Sequence, residues 1–120
     1  MVVFKLTKKE NNKLYYIYYP MGIEKEGGGI IKIDTECQTG KVITVAPLES
    51  VRKLSVKDQL MMRDIVATLR EEGGHPPLTE EEWPIPTEVM LEYRYGDAAI
   101  LKILEGLASG EAPEMGIAKC

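Results

Sequence analysis

Aromatic and β-branched residues recur in runs near the start of the chain, and polar residues separate these runs. Three runs cover residues 14–19, 29–34 and 41–46, and a fourth of similar character covers residues 2–6. Such residues fit a pleated, half-buried surface, and the Gly, Pro, Asn and Asp residues between the runs are typical of turns. The pattern therefore predicts an N-terminal antiparallel meander of about four strands.

Residues 14–19 carry apolar or aromatic side chains at every position. Side chains alternate between the two faces of a strand, so Tyr15, Ile17 and Tyr19 share one face. The sequence leaves two alternatives open for that face. Either Tyr15 and Tyr19 are core residues beneath a helix, or they stand in solvent beside Lys13 and form a surface for a ligand or a partner.

The clearest helical pattern covers residues 51–72. Its apolar stripe consists of Leu54, Met61, Ile65 and Leu69. Residues at this spacing lie on one side of a helix, which predicts that the stripe faces the core. Ser55 is suited to cap the N-terminus of the helix, and the glycine pair that begins at Gly73 is suited to end it.

Residues 88–95 fit two patterns. Their alternation of apolar and polar positions indicates a strand, while the same residues also fall on a helical stripe that would make 87–107 a single helix. Glycine is unfavourable inside a helix, and aspartate is a good N-cap. Gly96 and Asp97 therefore favour a fifth strand at 88–95, followed by a separate helix over residues 98–108.

These elements together predict an α+β fold. The N-terminal antiparallel meander of about four strands is expected to be packed on one face by two main helices, with the fifth strand at 88–95 between them. A length of 120 residues is typical of one domain. We therefore expect residues 1–110 to form a single domain and residues 111–120 to form a frayed tail.

Charge is unevenly placed along the chain. The net charge is −4, yet residues 1–53 contain 9 basic and 6 acidic residues, and the remainder contains 6 basic and 13 acidic residues. This distribution argues against a nucleic-acid binder that uses its whole surface, although it leaves a local basic patch open. The first residues lack the apolar core of a signal peptide, and no run is long enough to cross a membrane, so the cytoplasm is the expected location.

No motif reaches the specificity of a catalytic, cofactor or metal signature. His75 is the only histidine, and Cys37 and Cys120 form no CxxC pair, so neither a histidine-based nor a cysteine-based metal cluster is expected. The glycines at 27–29 precede a strand, whereas a phosphate-binding loop precedes a helix. We expect no metal and no cofactor, and the sequence favours a protein that is not an enzyme.

The sequence favours a non-enzymatic protein-interaction or regulatory module whose partner is another protein or a second copy of the chain. Trp83 and Ile85 lie in a rigid, proline-rich segment that suits an interface, and Tyr15 and Tyr19 lie in a strand that is apolar on both faces. The candidate partner-binding residues are therefore Trp83, Ile85, Tyr15 and Tyr19.

Two other functional classes stay open. A single-stranded nucleic acid could stack its bases on tyrosines while lysines follow its phosphates, and the residues for this alternative are Lys8, Lys9, Lys13, Tyr15 and Tyr19. A small enzyme would need tyrosine hydroxyls, carboxylates and His75 to converge in a pocket.

Overall fold

A computed structural model describes residues 1–120, and the contacts divide the chain into two compact units. The sheet unit consists of Met1–Val51 and Tyr93–Cys120, and the helical unit consists of Arg52–Glu92. That residues 1–110 form a single domain stays a prediction.

The sheet unit contains five antiparallel strands, which are β1 (Val2–Glu10), β2 (Lys13–Pro20), β3 (Gly29–Asp34), β4 (Thr39–Thr44) and β7 (Met115–Ala118). Their order in the sheet is β4-β3-β2-β1-β7. The first four follow one another in the sheet as they do in the chain, which confirms the predicted meander. The β1–β2 turn uses the left-handed conformation at Asn11, where φ is 53°. Asparagine tolerates this conformation better than most residues.

The last ten residues differ from the frayed tail that the sequence predicts, because they contain β7. This strand pairs with β1, and the backbone N–H of Leu6 donates to the carbonyl of Glu114 at 2.6 Å. The buried hydroxyl of Tyr16 also donates to the carbonyl of Pro113 at 2.6 Å. The free edge of β1 thus supplies the hydrogen bonds that order a short segment with little strand signal of its own.

Helix α2 (Arg94–Ala108) packs on one face of this sheet. Its buried side chains include Ala99 and Ile103, both fully inaccessible to solvent. The sheet contributes alternate residues of its strands to the same core, which are Val2, Phe4, Leu14, Tyr16, Tyr18, Ile31, Ile33 and Ala118. The chain is therefore an α+β protein, as predicted, and the core of the sheet unit lies between α2 and one face of the sheet.

Helix α2 begins four residues before the predicted start, and its N-cap is Tyr93 rather than Asp97. The carboxylate of Glu49 accepts hydrogen bonds from the backbone N–H groups of Tyr95 at 2.8 Å and Gly96 at 2.9 Å. The carboxylate of Asp97 accepts from the N–H of Tyr93 at 3.0 Å. These carboxylates accept hydrogen bonds from backbone N–H groups at the start of α2 and interact favourably with the positive end of the helix dipole. The helix can therefore continue through Gly96.

The helical unit contains α1 (Val56–Glu72) and most of a two-stranded sheet formed by β5 (Val51–Leu54) and β6 (Met90–Tyr93). The central residues of the predicted fifth strand at 88–95 form β6. This strand pairs with β5 and does not belong to the five-stranded sheet. Residues 51–54, which the sequence places in the helix, form β5 instead. The predicted cap is confirmed, because the hydroxyl of Ser55 accepts from the N–H of Asp58 at 3.1 Å.

Candidate interaction surfaces

The face of the five-stranded sheet that points away from α2 is called the open face, because no helix or strand of the sheet unit packs on it. The connection between β2 and β3 covers part of this face, where Gly28 lies close to the side chains of Ile17 and Tyr19. Its side chains come from all five strands: Val3, Lys5, Lys8, Tyr15, Ile17, Tyr19, Ile30, Lys32, Lys41, Met115 and Ile117. Residues opposite one another in antiparallel strands point to the same side, which assigns them to this face. None of them is fully buried.

One half of the open face is mainly apolar, and its residues Val3, Ile17, Tyr19, Ile30 and Ile117 are called the apolar band. Lys5 lies in the same half, between Ile17 and Met115. Val3 lies between Tyr19 on β2 and Ile117 on β7, and Ile17 lies opposite Ile30. Ile117 is 61% exposed and Ile30 is 38% exposed. Adjacent exposed apolar side chains of this kind are typical of binding surfaces.

The other half of the open face is a row of lysines around one tyrosine. Tyr15 lies opposite Lys8 on β1 and opposite Lys32 on β3, and Lys32 lies opposite Lys41 on β4. The ammonium of Lys8 lies 5.7 Å from the centroid of the Tyr15 ring, within the range of a cation–π contact. We call Lys8, Tyr15, Lys32 and Lys41 the lysine row.

Ion pairs reduce the positive charge near the open face. Lys5 pairs with Glu24 at 2.5 Å, Lys8 pairs with Glu10 at 2.7 Å, and Lys13 pairs with Asp34. Hydrogen bonds to these carboxylates raise the pKa of each lysine. Lys32 and Lys41 take part in none of the ion pairs of the structure, so they are the free cations of the lysine row.

The structure answers the question left open for β2. Tyr15 and Tyr19 are half-buried on the open face, away from α2, while Tyr16 and Tyr18 are the core tyrosines. They are therefore surface residues whose rings are partly covered by neighbours. Lys5 is one of these neighbours, because its ammonium lies 5.8 Å from the centroid of the Tyr19 ring.

Of the three lysines that the sequence proposes for nucleic-acid binding, Lys8 lies beside a tyrosine ring, and Lys9 and Lys13 do not. A β-bulge between Leu6 and Lys8 shifts the register of β1, so Lys8 lies opposite Tyr15 and Lys9 lies opposite Leu14. Lys9 is thus on the α2 side of the sheet, because Leu14 belongs to the core. Lys13 pairs with Asp34 one row further along.

Trp83 and Ile85 lie in the helical unit, after a single helical turn. The N–H of Trp83 donates to the carbonyl of Thr79 at 3.0 Å, and the N–H of Glu82 donates to the Thr79 hydroxyl at 3.3 Å. The carbonyl of Trp83 accepts from Nε of Arg63 on α1 at 3.0 Å, and its side chain is partly buried. Ile85 is 49% exposed.

Sequence reasoning missed an exposed apolar stripe on α1. No residue of α1 is buried, and the exposed fractions are 53% for Met61, 57% for Ile65 and 60% for Leu69. The expectation that this stripe faces the core is therefore wrong for these three residues, although Leu54 at its start is buried. The segment after α1 contacts other sides of the helix, where Arg70 pairs with Glu82 at 2.6 Å. The periodicity identified the stripe correctly but gave no information on what covers it.

The groups that a small enzyme would need have structural roles or stand in solvent. Burial raises the pKa of Tyr16 to about 12, and its hydroxyl is bonded to the carbonyl of Pro113. Burial also raises the pKa of Tyr18, whose hydroxyl accepts from the N–H of Ala46 at 3.2 Å. His75 is exposed in the connection that follows α1.

No group of three or more His, Cys, Asp and Glu side chains is placed to hold a metal ion. No helix combines the length and the apolar character that crossing a membrane requires. Cys37 and Cys120 are both exposed free thiols.

Comparison of the chain with protein-family models, with curated proteins and with solved structures finds no match. Function is therefore inferred from the residues of this chain.

Proposed function

We propose that this chain is a small, non-enzymatic protein-interaction module and that the apolar band of its open face is the principal binding surface. The observation that supports this proposal most strongly is the row of adjacent apolar residues across three strands, from Tyr19 through Val3 to Ile117. A partner that covers the band removes this apolar surface from water, which is the main favourable term in most protein associations.

The α1 stripe supports the same proposal from the other unit. Met61, Ile65 and Leu69 lie on one side of the helix and are each more than half exposed. Methionine fills irregular gaps well and is common at surfaces that accept partners. Ile85 adds exposed apolar area in the same unit, and Trp83 supplies an aromatic group close to it in the chain.

The test is affinity capture with the full chain and a matched pair of lysine substitutions. Ile30→Lys places a charge in the apolar band, and Leu101→Lys makes a comparable change on α2, where Leu101 is 62% exposed. We expect the wild type and Leu101→Lys to retain the same protein, and Ile30→Lys to lose it while its thermal unfolding is unchanged. Trp83→Ala should weaken the association without unfolding the chain. A monomeric wild type that retains nothing contradicts the proposal.

The lysine row favours a second candidate, the binding of single-stranded nucleic acid. Tyr15 offers a ring for base stacking, and Lys32 and Lys41 are free to contact phosphates. Stacking on one aromatic side chain contributes about 1 to 3 kcal/mol per base.

A fluorescence-anisotropy titration with a single-stranded oligonucleotide tests this second candidate. It predicts salt-sensitive binding that Lys32→Glu and Lys41→Glu weaken, because each change removes a phosphate contact. Lys9→Glu is the matched control, since Lys9 lies on the α2 side of the sheet and should change the affinity little. Absence of binding at low salt removes this candidate.

A further inference from the structure

We infer that a second copy of this chain pairs with the free edge of β7, so that two five-stranded sheets join into one ten-stranded sheet. This inference rests on the proposed function, because it names a partner of the interaction module. Three features of that edge support it: backbone groups that can pair with another strand, exposed apolar side chains, and a strand without charged residues.

The backbone of β7 is placed to form a new ladder. β7 is the last strand of the sheet, so only β1 pairs with it. The carbonyl of Glu114 accepts from Leu6 on β1, and the backbone groups of successive residues in a strand point to alternate sides. The N–H and C=O groups of Met115 and Ile117 therefore point away from β1, toward the free edge, where a second strand can pair with them.

The side chains at this edge are self-complementary. Met115 and Ile117 lie on the open face and are 63% and 61% exposed. In an antiparallel pair centred on Gly116, Met115 of each copy lies opposite Ile117 of the other. Both residues of each pair then point to the same side, and the two-fold symmetry repeats the apolar contact. The apolar band of one copy thereby becomes continuous with that of the other.

The charges next to β7 do not oppose this pairing. A shallow groove of about 300 Å³ runs between β7 and α2, and its lining contains one cation, Lys102, and one carboxylate, Glu105. The strand itself carries no charged residue. Two copies related by a two-fold axis therefore bring together strands that carry no charged residue of their own, and no lysine within β7 prevents the approach.

The opposite edge of the sheet is less suitable. β4 carries Lys41 within the strand, and the β3–β4 register shifts between Ile30 and Ile31. Charged residues and bulges are the devices that commonly prevent edge-to-edge pairing. β7 is protected only by its length of four residues. A short ladder of this kind predicts a weak dimer that forms in a concentration-dependent manner.

Sedimentation equilibrium of the full chain from micromolar to millimolar concentration tests the inference. The average mass of the wild type should rise from 13.4 kDa toward twice that value. Ile117→Lys should stay monomeric over the same range, because it puts two lysines into the new seam. Leu101→Lys, with a side chain that is 62% exposed on α2, should associate like the wild type. A monomeric wild type, or an Ile117→Lys variant that dimerises normally, overturns the inference.

Hydrogen exchange of the wild type provides a test that needs no substitution. The amides of Met115 and Ile117 should be protected at high protein concentration and exchange faster on dilution, while the amide of Gly116 should change little because it points toward β1. Exchange of Met115 and Ile117 that is independent of concentration overturns the pairing. If the chain stays monomeric while Ile30→Lys abolishes capture of a different protein, the self-pairing fails and the interaction module stands.

Discussion

Replacing Tyr16 with phenylalanine should remove both a tertiary hydrogen bond and a source of instability at alkaline pH. Tyr16 is completely buried, and its hydroxyl donates to the carbonyl of Pro113, just before β7. Loss of such a bond typically costs about 1 kcal/mol of unfolding free energy near neutral pH. Tyr16→Phe should therefore be less stable than the wild type by about that amount.

The same substitution should matter less as the pH rises. Burial raises the pKa of Tyr16 from 10.0 to about 12, so the folded protein keeps this proton in a range where the unfolded chain has lost it. The resulting stabilisation is complete below about pH 10 and is lost as the pH rises through about 12. For these two pKa values, linkage gives a loss of about 1.3 kcal/mol between about pH 9 and about pH 11.

Urea unfolding at about pH 9 and about pH 11 measures this effect. The difference in unfolding free energy between the wild type and Tyr16→Phe should be about 1 kcal/mol at the lower pH and should close at the higher pH, because only the wild type has a Tyr16 whose ionisation at about pH 11 stabilises the unfolded chain. Tyr15→Phe, on the open face, controls for the loss of a tyrosine. A Tyr16→Phe difference that is the same at both pH values would show that folding does not raise the pKa of Tyr16.

Three further predictions concern the core and the elements that position the open face. Glu49→Gln should lower the unfolding free energy by about 1 kcal/mol in a denaturant titration, because an uncharged amide interacts less well with the first N–H groups of α2; an unchanged midpoint contradicts this role for Glu49. Gly29→Ala should lower the unfolding free energy by about 2 kcal/mol or more and lower the melting temperature, because a Cβ there would lie 2.5 Å from the carbonyl oxygen of Thr44. A melting temperature equal to that of the wild type would show that the backbone at Gly29 can move to accommodate the methyl group. Ile103→Ala should cost about 2 to 5 kcal/mol, whereas Ile65→Ala should cost less than about 0.5 kcal/mol, since Ile103 is fully buried and Ile65 is 57% exposed; equal losses would show that the α1 stripe is packed in the folded protein.

The meander could be predicted from the sequence because its signals are local. Alternating side chains define the strands, and residues such as Asn11 mark the turns between them. β7 could not be predicted in this way, because four residues with a central glycine carry little strand propensity. Its order comes from the edge of β1, which is more than a hundred residues away in the chain.

The composition of the open face depends on register as well as on sequence. Simple alternation along β1 would place Thr7 opposite Tyr15 and Lys9 on the open face, but the bulge after Leu6 exchanges the faces of Lys8 and Lys9. A single inserted residue has no clear signature in one sequence. The tyrosines of the site could thus be identified in advance, while the lysine that accompanies Tyr15 could not.

The start of α2 shows a similar dependence on distant residues. Gly96 and Asp97 resemble a helix boundary when they are considered alone. Glu49, which is far away in sequence, supplies the acceptors that the first amides of the helix need. The helix therefore begins where this tertiary contact allows it to begin.

Site-specific photo-crosslinking in the native cell would show whether the apolar band contacts a protein partner. A benzoylphenylalanine at position 19 would place the reactive group in the apolar band, and the same residue at position 36 would place it in the exposed β3–β4 turn. A protein adduct should form at position 19 and be absent at position 36. Equal labelling at the two positions, or no protein adduct at position 19, would contradict this prediction.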